Sequence, residues 1–216
     1  MWTVLGLLLG SAGQRRLLPP LPRDQTGALI SLAEKHHLAG LLYASVYPRM
    51  TGIFAPADIE RLRISYLACL ARNMRLLTEF EKVSRLLWRA GVPLIPLKGI
   101  SLLIRKVYPH GAREMSDVDI LVPQDRFDEV QRILAACGYR KTEEHVKNFD
   151  HVLGTHLWRT GTYLSPDGKT GGVSIDIHDR LQYFGTDLHP GVMREKMAGI
   201  WRRASRCDGM EGVSLL

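Results

Sequence analysis

Apolar residues in the first ninety positions recur at helical intervals. Leu29, Leu32, Ala33 and Leu41 form one stripe, and the spacing predicts a helix from Asp24 to about Tyr43, stopped by Pro48. A longer stripe follows between Ala57 and Ala90, where Ile59, Leu62, Tyr66, Leu70, Leu77, Phe80, Val83 and Leu87 share a face. Arg72, Arg75, Glu79 and Lys82 lie largely off that face, and Gly91 is a natural helix terminator.

Beyond Gly91 the period changes. Val92-Pro-Leu-Ile-Pro-Leu97 is short, apolar and twice interrupted by proline, the pattern of a strand near a sheet edge. Lys98-Gly99 turns the chain into a short helix carrying Ile100, Leu102, Leu103, Ile104 and Val107, and Tyr108-Pro-His-Gly111 is a turn. Val118 to Val122 reads as a strand. Phe127, Val130, Ile133 and Leu134 mark an amphipathic helix that Gly138 ends, with Asp125 placed near its start to offset the dipole. The stretch from Tyr139 to Tyr163 alternates weakly and predicts one or two irregular strands. Ser165-Pro-Asp-Gly168 is a turn before a strand over Gly172 to Ile177, and a last helix is expected from about Val192 to Ala204. The chain therefore reads as α+β: a helical region over residues 1–91, then a small mixed β-sheet with flanking helices over residues 92–216.

Composition narrows the class without naming a function. With 45% hydrophobic and 24% charged residues over 216 positions, the chain can bury a core and is not a disordered type. No apolar run reaches the length of a membrane span, so no membrane partner is expected. The opening Met1-Trp-Thr-Val-Leu-Gly-Leu-Leu-Leu-Gly10 lacks the basic residues that precede a secretory core, and a packed helix is the better reading. Gly212-Val-Ser-Leu-Leu216 ends without a terminator, which predicts a second region truncated at its C-terminus. Cys69, Cys137 and Cys207 are too few and too far apart for a disulfide framework or a Cys-x-x-Cys knuckle, so a reducing cytoplasm is expected. The net charge of +7 favours acidic partners such as nucleotides or RNA, although the excess is spread along the chain.

Candidate chemistry concentrates in three places. Asp117 and Asp119 sit two positions apart on a predicted strand, which sends both carboxylates to one face. Like charges this close repel, and a shared cation is one way to offset the cost; magnesium suits oxygen ligands and leaves room for phosphate. A solvated acidic strand face is the plainer reading. Asp176, flanked by Ile175 and Ile177 on a later strand, offers a third carboxylate that can complete a two-metal site, with His178 on the same face as a hydrogen-bond partner, an acceptor-site residue or a structural one. Pro96-Leu-Lys-Gly-Ile-Ser101 places Gly99 where a strand meets a helix, so backbone N–H groups there can meet a phosphate, with Lys98 and Ser101 adding contacts; a plain strand-helix connection explains the same residues. Arg113 can neutralise phosphate or pair with Glu114 or Asp117. Asp167-Gly-Lys-Thr170 is like the end of a phosphate loop, but Tyr163 stands where its first glycine is required, and a hairpin turn fits better.

The order of these pieces resembles the DNA polymerase β-like nucleotidyltransferase superfamily, and more narrowly a bacterial nucleotidyltransferase family with Leu-Lys-Gly, Arg-x-x-Ser-Asp-x-Asp-x-Leu-Val and Asp-x-His stretches. Here these are Leu97-Lys98-Gly99, Arg113 to Val122 including Ser116, and Asp176-Ile-His178. His37-Leu-Ala-Gly-Leu-Leu42 and Cys137-Gly-Tyr139 extend the likeness over most of the chain. The resemblance implies the polymerase β-like core and a magnesium-dependent enzyme, with two ions, that moves an NMP from an NTP such as ATP to an acceptor hydroxyl or phosphate. It implies that Asp117 and Asp119 hold both ions, that Asp176 holds one and helps deprotonate the acceptor, and that Lys98, Gly99, Ser101, Arg113 and Ser116 serve the nucleotide. Two departures stand out: Gly99-Ile100 replaces the superfamily's Gly-Ser, and the interval to Asp117 is longer than in minimal members.

The acceptor can be a protein, a small molecule or RNA, and neither it nor the oligomeric state is written in the sequence. A module that keeps the pocket without performing transfer is the alternative on the same fold, and RNA binding ranks last because no aromatic-rich basic motif is present. Both Asp117 and Asp119 are expected at the surface of a cleft.

Overall fold

The structure, a computed structural model, describes residues 23–47, 54–147, 158–166, 172–181, 190–206 and 213–215. The Met1–Gly10 segment, Cys207 and the Asp167–Thr170 turn fall outside these. The chain divides into two compact units, with the cuts at Arg75/Leu76, Ser101/Leu102 and Met115/Ser116.

The first unit is helical. Helix α1 (Arg23–Lys35), helix α2 (Ala39–Val46) and the opening turns of helix α3 (Pro56–Arg89) bury Leu29, Ile30, Ala33, Leu42, Val46, Phe54 and Leu62 together. The single helix expected from Asp24 to Tyr43 is in fact two. His37 takes a left-handed φ of 57°, Leu38 N–H donates to the Ala33 carbonyl at 2.7 Å, and His37 N–H to that of Glu34 at 3.0 Å. This paired closure normally recruits glycine; here a histidine provides it. The turn after Val107 is fixed by Asn73, fully buried, whose Nδ2 donates to the carbonyls of His110 at 2.6 Å and Arg113 at 2.7 Å.

The second unit is built on a five-stranded mixed sheet. Its strands are β1 (Ile95–Pro96), β2 (Asp117–Leu121), β3 (Arg140–Lys147), β4 (Trp158–Leu164) and β5 (Ser174–His178), in the spatial order β1-β2-β5-β4-β3. Strands β2 and β5 are parallel and the other neighbours antiparallel. Pro96, which has no N–H to donate, lies on the edge strand as its chemistry requires. Helix α4 (Lys98–Ile104) follows β1, and helix α5 (Phe127–Ala136) buries Phe127, Val130 and Leu134. Helix α6 (Pro190–Arg203) sets Ile200 against Ile95 and Leu121, with Leu97, Met197 and Trp201 around them. Two short strands, β6 (Ser205–Arg206) and β7 (Ser214–Leu215), pair antiparallel. The α+β class and the mixed sheet with flanking helices thus agree with the pattern of the sequence.

Glu79 departs from it. Placed off the apolar stripe by periodicity, its carboxylate is buried, accepting from the Tyr139 hydroxyl at 2.5 Å and from Lys82 Nζ at 3.0 Å. A buried charge is tolerated where hydrogen bonds satisfy it. Tyr139→Phe is therefore expected to cost about 2 kcal/mol, the range for a hydrogen bond to a charged group, measured by urea denaturation with the slope unchanged.

Candidate metal centre

The parallel pairing of β2 with β5 brings the acids together. Asp119 stands opposite Asp176 in the register, and Asp117 opposite Ser174. Alternation along each strand then places Asp117, Asp119 and Asp176 on one side of the sheet. Carboxylate oxygens of the three lie within 4.8 Å of one another. Val118, Ile120, Ile175 and Ile177 are buried and anchor the strands that carry them.

The surroundings of the acids differ. Asp117 is half-buried and accepts a hydrogen bond from the Ser116 hydroxyl at 3.0 Å. Asp119 is only 3% exposed, which departs from the expectation that it lies at a surface. Two neighbouring side chains, Lys98 and His178, lie against its carboxylate. Its Oδ1 accepts from Lys98 Nζ at 2.6 Å and meets His178 Nε2 at 2.9 Å. Burial alone would raise the Asp119 carboxyl, but these hydrogen bonds and the Lys98 charge hold it below the ordinary aspartate value. Burial would likewise lower the Lys98 ammonium, yet the bond to Asp119 and the charges of Asp119, Asp117 and Asp176 raise it above its usual value.

Asp176 goes the other way. Burial pushes its carboxyl up, the neighbouring Asp119 and Asp117 add to the rise, and a hydrogen bond with Thr162 opposes it. Its Oδ1 is buried with no hydrogen-bond partner. An orphaned carboxylate oxygen on an acid grouped with two others is costly in a protein alone, and a cation would relieve it. The donors are all carboxylate oxygens, a hard set that matches magnesium or manganese better than softer metals. The residues present therefore fit a hard divalent cation.

Lys98 opens α4 with a left-handed φ of 49°, a conformation that costs a non-glycine residue about 1 kcal/mol. Gly99 and Ser101 follow in the first turn of that helix, both half-buried. Arg113 belongs to the first unit, with its side chain exposed; neighbouring Glu114 is taken by His37 Nδ1 at 2.6 Å and Arg72 at 3.3 Å. Thr162 was not legible as a site residue, because only the β4–β5 register sets it opposite Asp176.

A protein family described as "Uncharacterised nucleotidyltransferase" matches residues 22–206, most of the chain. The chain belongs to this family. Family membership bears out the nucleotidyltransferase resemblance drawn from Leu97-Lys98-Gly99, the Asp117/Asp119 pair and Asp176-Ile-His178. Among solved structures, one from Thermotoga maritima described as a "putative nucleotidyltransferase" is similar at 15% identity and a TM-score of 0.32, covering 58% of this chain and 84% of that one. No curated protein gives a significant match. Among the described residues, no helix is long and apolar enough to cross a membrane.

Proposed function

We propose that the protein transfers a nucleoside monophosphate from an NTP to an acceptor hydroxyl or phosphate, with pyrophosphate leaving, at the centre formed by Asp117, Asp119 and Asp176. The observation that carries this reading is the convergence of the three carboxylates within 4.8 Å, two from β2 and one from β5, in a chain of a nucleotidyltransferase family. Magnesium ions held there would neutralise phosphate charge and favour the ionised form of an acceptor hydroxyl.

The chain's own residues supply the rest. Asp117 and Asp119 hold and orient the ions, Ser116 fixing the Asp117 carboxylate and His178 that of Asp119. Asp176, the carboxylate that β5 adds to the pair on β2, helps hold the ions and is the group assigned to take the acceptor's proton. Lys98, Gly99 and Ser101, clustered in one turn beside β2, are assigned to the triphosphate.

The deciding experiment incubates the full chain with each labelled NTP, magnesium and cell extract, then asks which fraction retains label. Transfer of label to one fraction, lost on chelation by EDTA, is expected. Nucleotide binding without transfer to any fraction would instead favour the non-catalytic nucleotide-binding module.

A further inference from the structure

Lys98 and a metal ion would make conflicting demands on one carboxylate. The ammonium lies 2.6 Å from Asp119 Oδ1, and His178 Nε2 meets the same oxygen at 2.9 Å. The two partners of the ion pair are unequally placed: the Asp119 side chain is 4% exposed and that of Lys98 is 63%. The acid is fixed in the sheet, whereas the lysine can rotate its four-carbon stem into solvent at little cost. A divalent cation on Asp119 would be brought beside an ammonium at hydrogen-bond range from the same group, and like charges at that distance repel.

Lys98 holds its contact from a left-handed φ of 49°, where glycine would be unstrained. A residue needed merely to turn the strand into the helix would be served better by glycine; what lysine adds at this position is the charge.

We propose that Lys98 is a tethered counter-cation, which competes with a divalent metal for Asp119 and relinquishes that carboxylate to bind the phosphates of an incoming nucleotide. It rests on the reading of the three acids as a metal centre. Metal alone then binds weakly, and nucleotide strengthens its binding by removing the competitor as well as by adding phosphate ligands. Coupling of this kind is reciprocal, so metal also strengthens nucleotide binding.

The test is binding of Mn2+ to the full chain, followed by electron paramagnetic resonance and titration calorimetry, with no turnover involved. Lys98→Met and Lys98→Gly are each expected to bind Mn2+ roughly tenfold more tightly than the wild type in the absence of nucleotide, as removal of one competing charge implies. Lys98→Arg, which keeps a cation, should stay near the wild-type affinity. A non-hydrolysable triphosphate analogue should improve Mn2+ affinity by a larger factor in the wild type than in Lys98→Met. The glycine variant guards against misfolding, since it removes the charge and the backbone strain together. Mn2+ affinity unchanged or weakened in both Lys98→Met and Lys98→Gly would overturn the proposal while leaving the metal centre intact. A different result, Asp119→Asn binding Mn2+ as well as the wild type, would remove the metal centre itself and the proposal with it.

Discussion

Asp119→Asn is expected to lower kcat/KM for nucleotidyl transfer about a thousandfold or more, roughly 4 kcal/mol of transition-state stabilisation, with little loss of fold. The substitution is nearly isosteric, so the packing of β2 between β1 and β5 is kept. It removes the negative charge that the metal reading requires and turns one of three converging carboxylates into a neutral amide. Removing one partner of a buried ion pair can cost 3–5 kcal/mol when the other is stranded, on the order of what mutational series show. Lys98 is not stranded, because its side chain is 63% exposed and can return to water, and the asparagine oxygen can still accept from His178. Loss of the charge also relieves the desolvation of a carboxylate only 3% exposed. The opposing terms leave a net change within about 1 kcal/mol. Steady-state transfer assays and urea denaturation on the same preparation check both halves; a variant that turns over like the wild type contradicts the assignment of Asp119, whereas an unfolded one shows its role to be structural.

Much of this site could be read from the sequence, and the limits of that reading have physical causes. Two carboxylates at alternate strand positions share a face by strand geometry alone, so the Asp117/Asp119 pair was visible at once. That Asp176 joins them depends on β2 and β5 lying side by side in parallel, a pairing made across more than fifty residues and two intervening strands. Local pattern says nothing about such a register, and the same holds for Thr162 and for the burial of Asp119. Helix ends show a similar division. Gly91 and Gly138, with φ of 68° and 85°, close α3 and α5 where glycine marked the end. His37 and Lys106, with φ of 57° and 52°, close α1 and α4 by the same backbone geometry. Neither a histidine nor a lysine marks a helix end as strongly as glycine does, and for His37 the consequence is one predicted helix in place of two. Glu79 escaped periodicity for another reason: its burial depends on Tyr139, sixty residues further along, offering a hydroxyl.

A single methyl group should have opposite effects at two glycines of the helical unit. At Gly40, in the first turn of α2, an added Cβ would lie 2.2 Å from the backbone oxygen of Gly111 and 3.3 Å from its carbonyl carbon. The Gly111 turn cannot easily retreat. A Cβ on Gly111 would itself meet the Tyr66 ring and the Tyr66 carbonyl oxygen at 2.7 Å, which shows how tightly that turn is pressed on α3. Asn73 further ties the carbonyls on either side of it, those of His110 and Arg113. Relief would require backbone movement in a packed interior, so Gly40→Ala is expected to destabilise the unit by about 3 kcal/mol or more, at the upper end of overpacking costs. At Gly27, within α1, nothing lies within 4 Å of the corresponding position. Alanine there only restricts the unfolded chain and improves helix propensity, which predicts a gain of about 0.5–1 kcal/mol. Denaturation curves for the two variants should therefore move to opposite sides of the wild type. If Gly40→Ala unfolds where the wild type does, α2 and the Gly111 turn do not pack as closely as a 2.2 Å approach to the Gly111 oxygen requires.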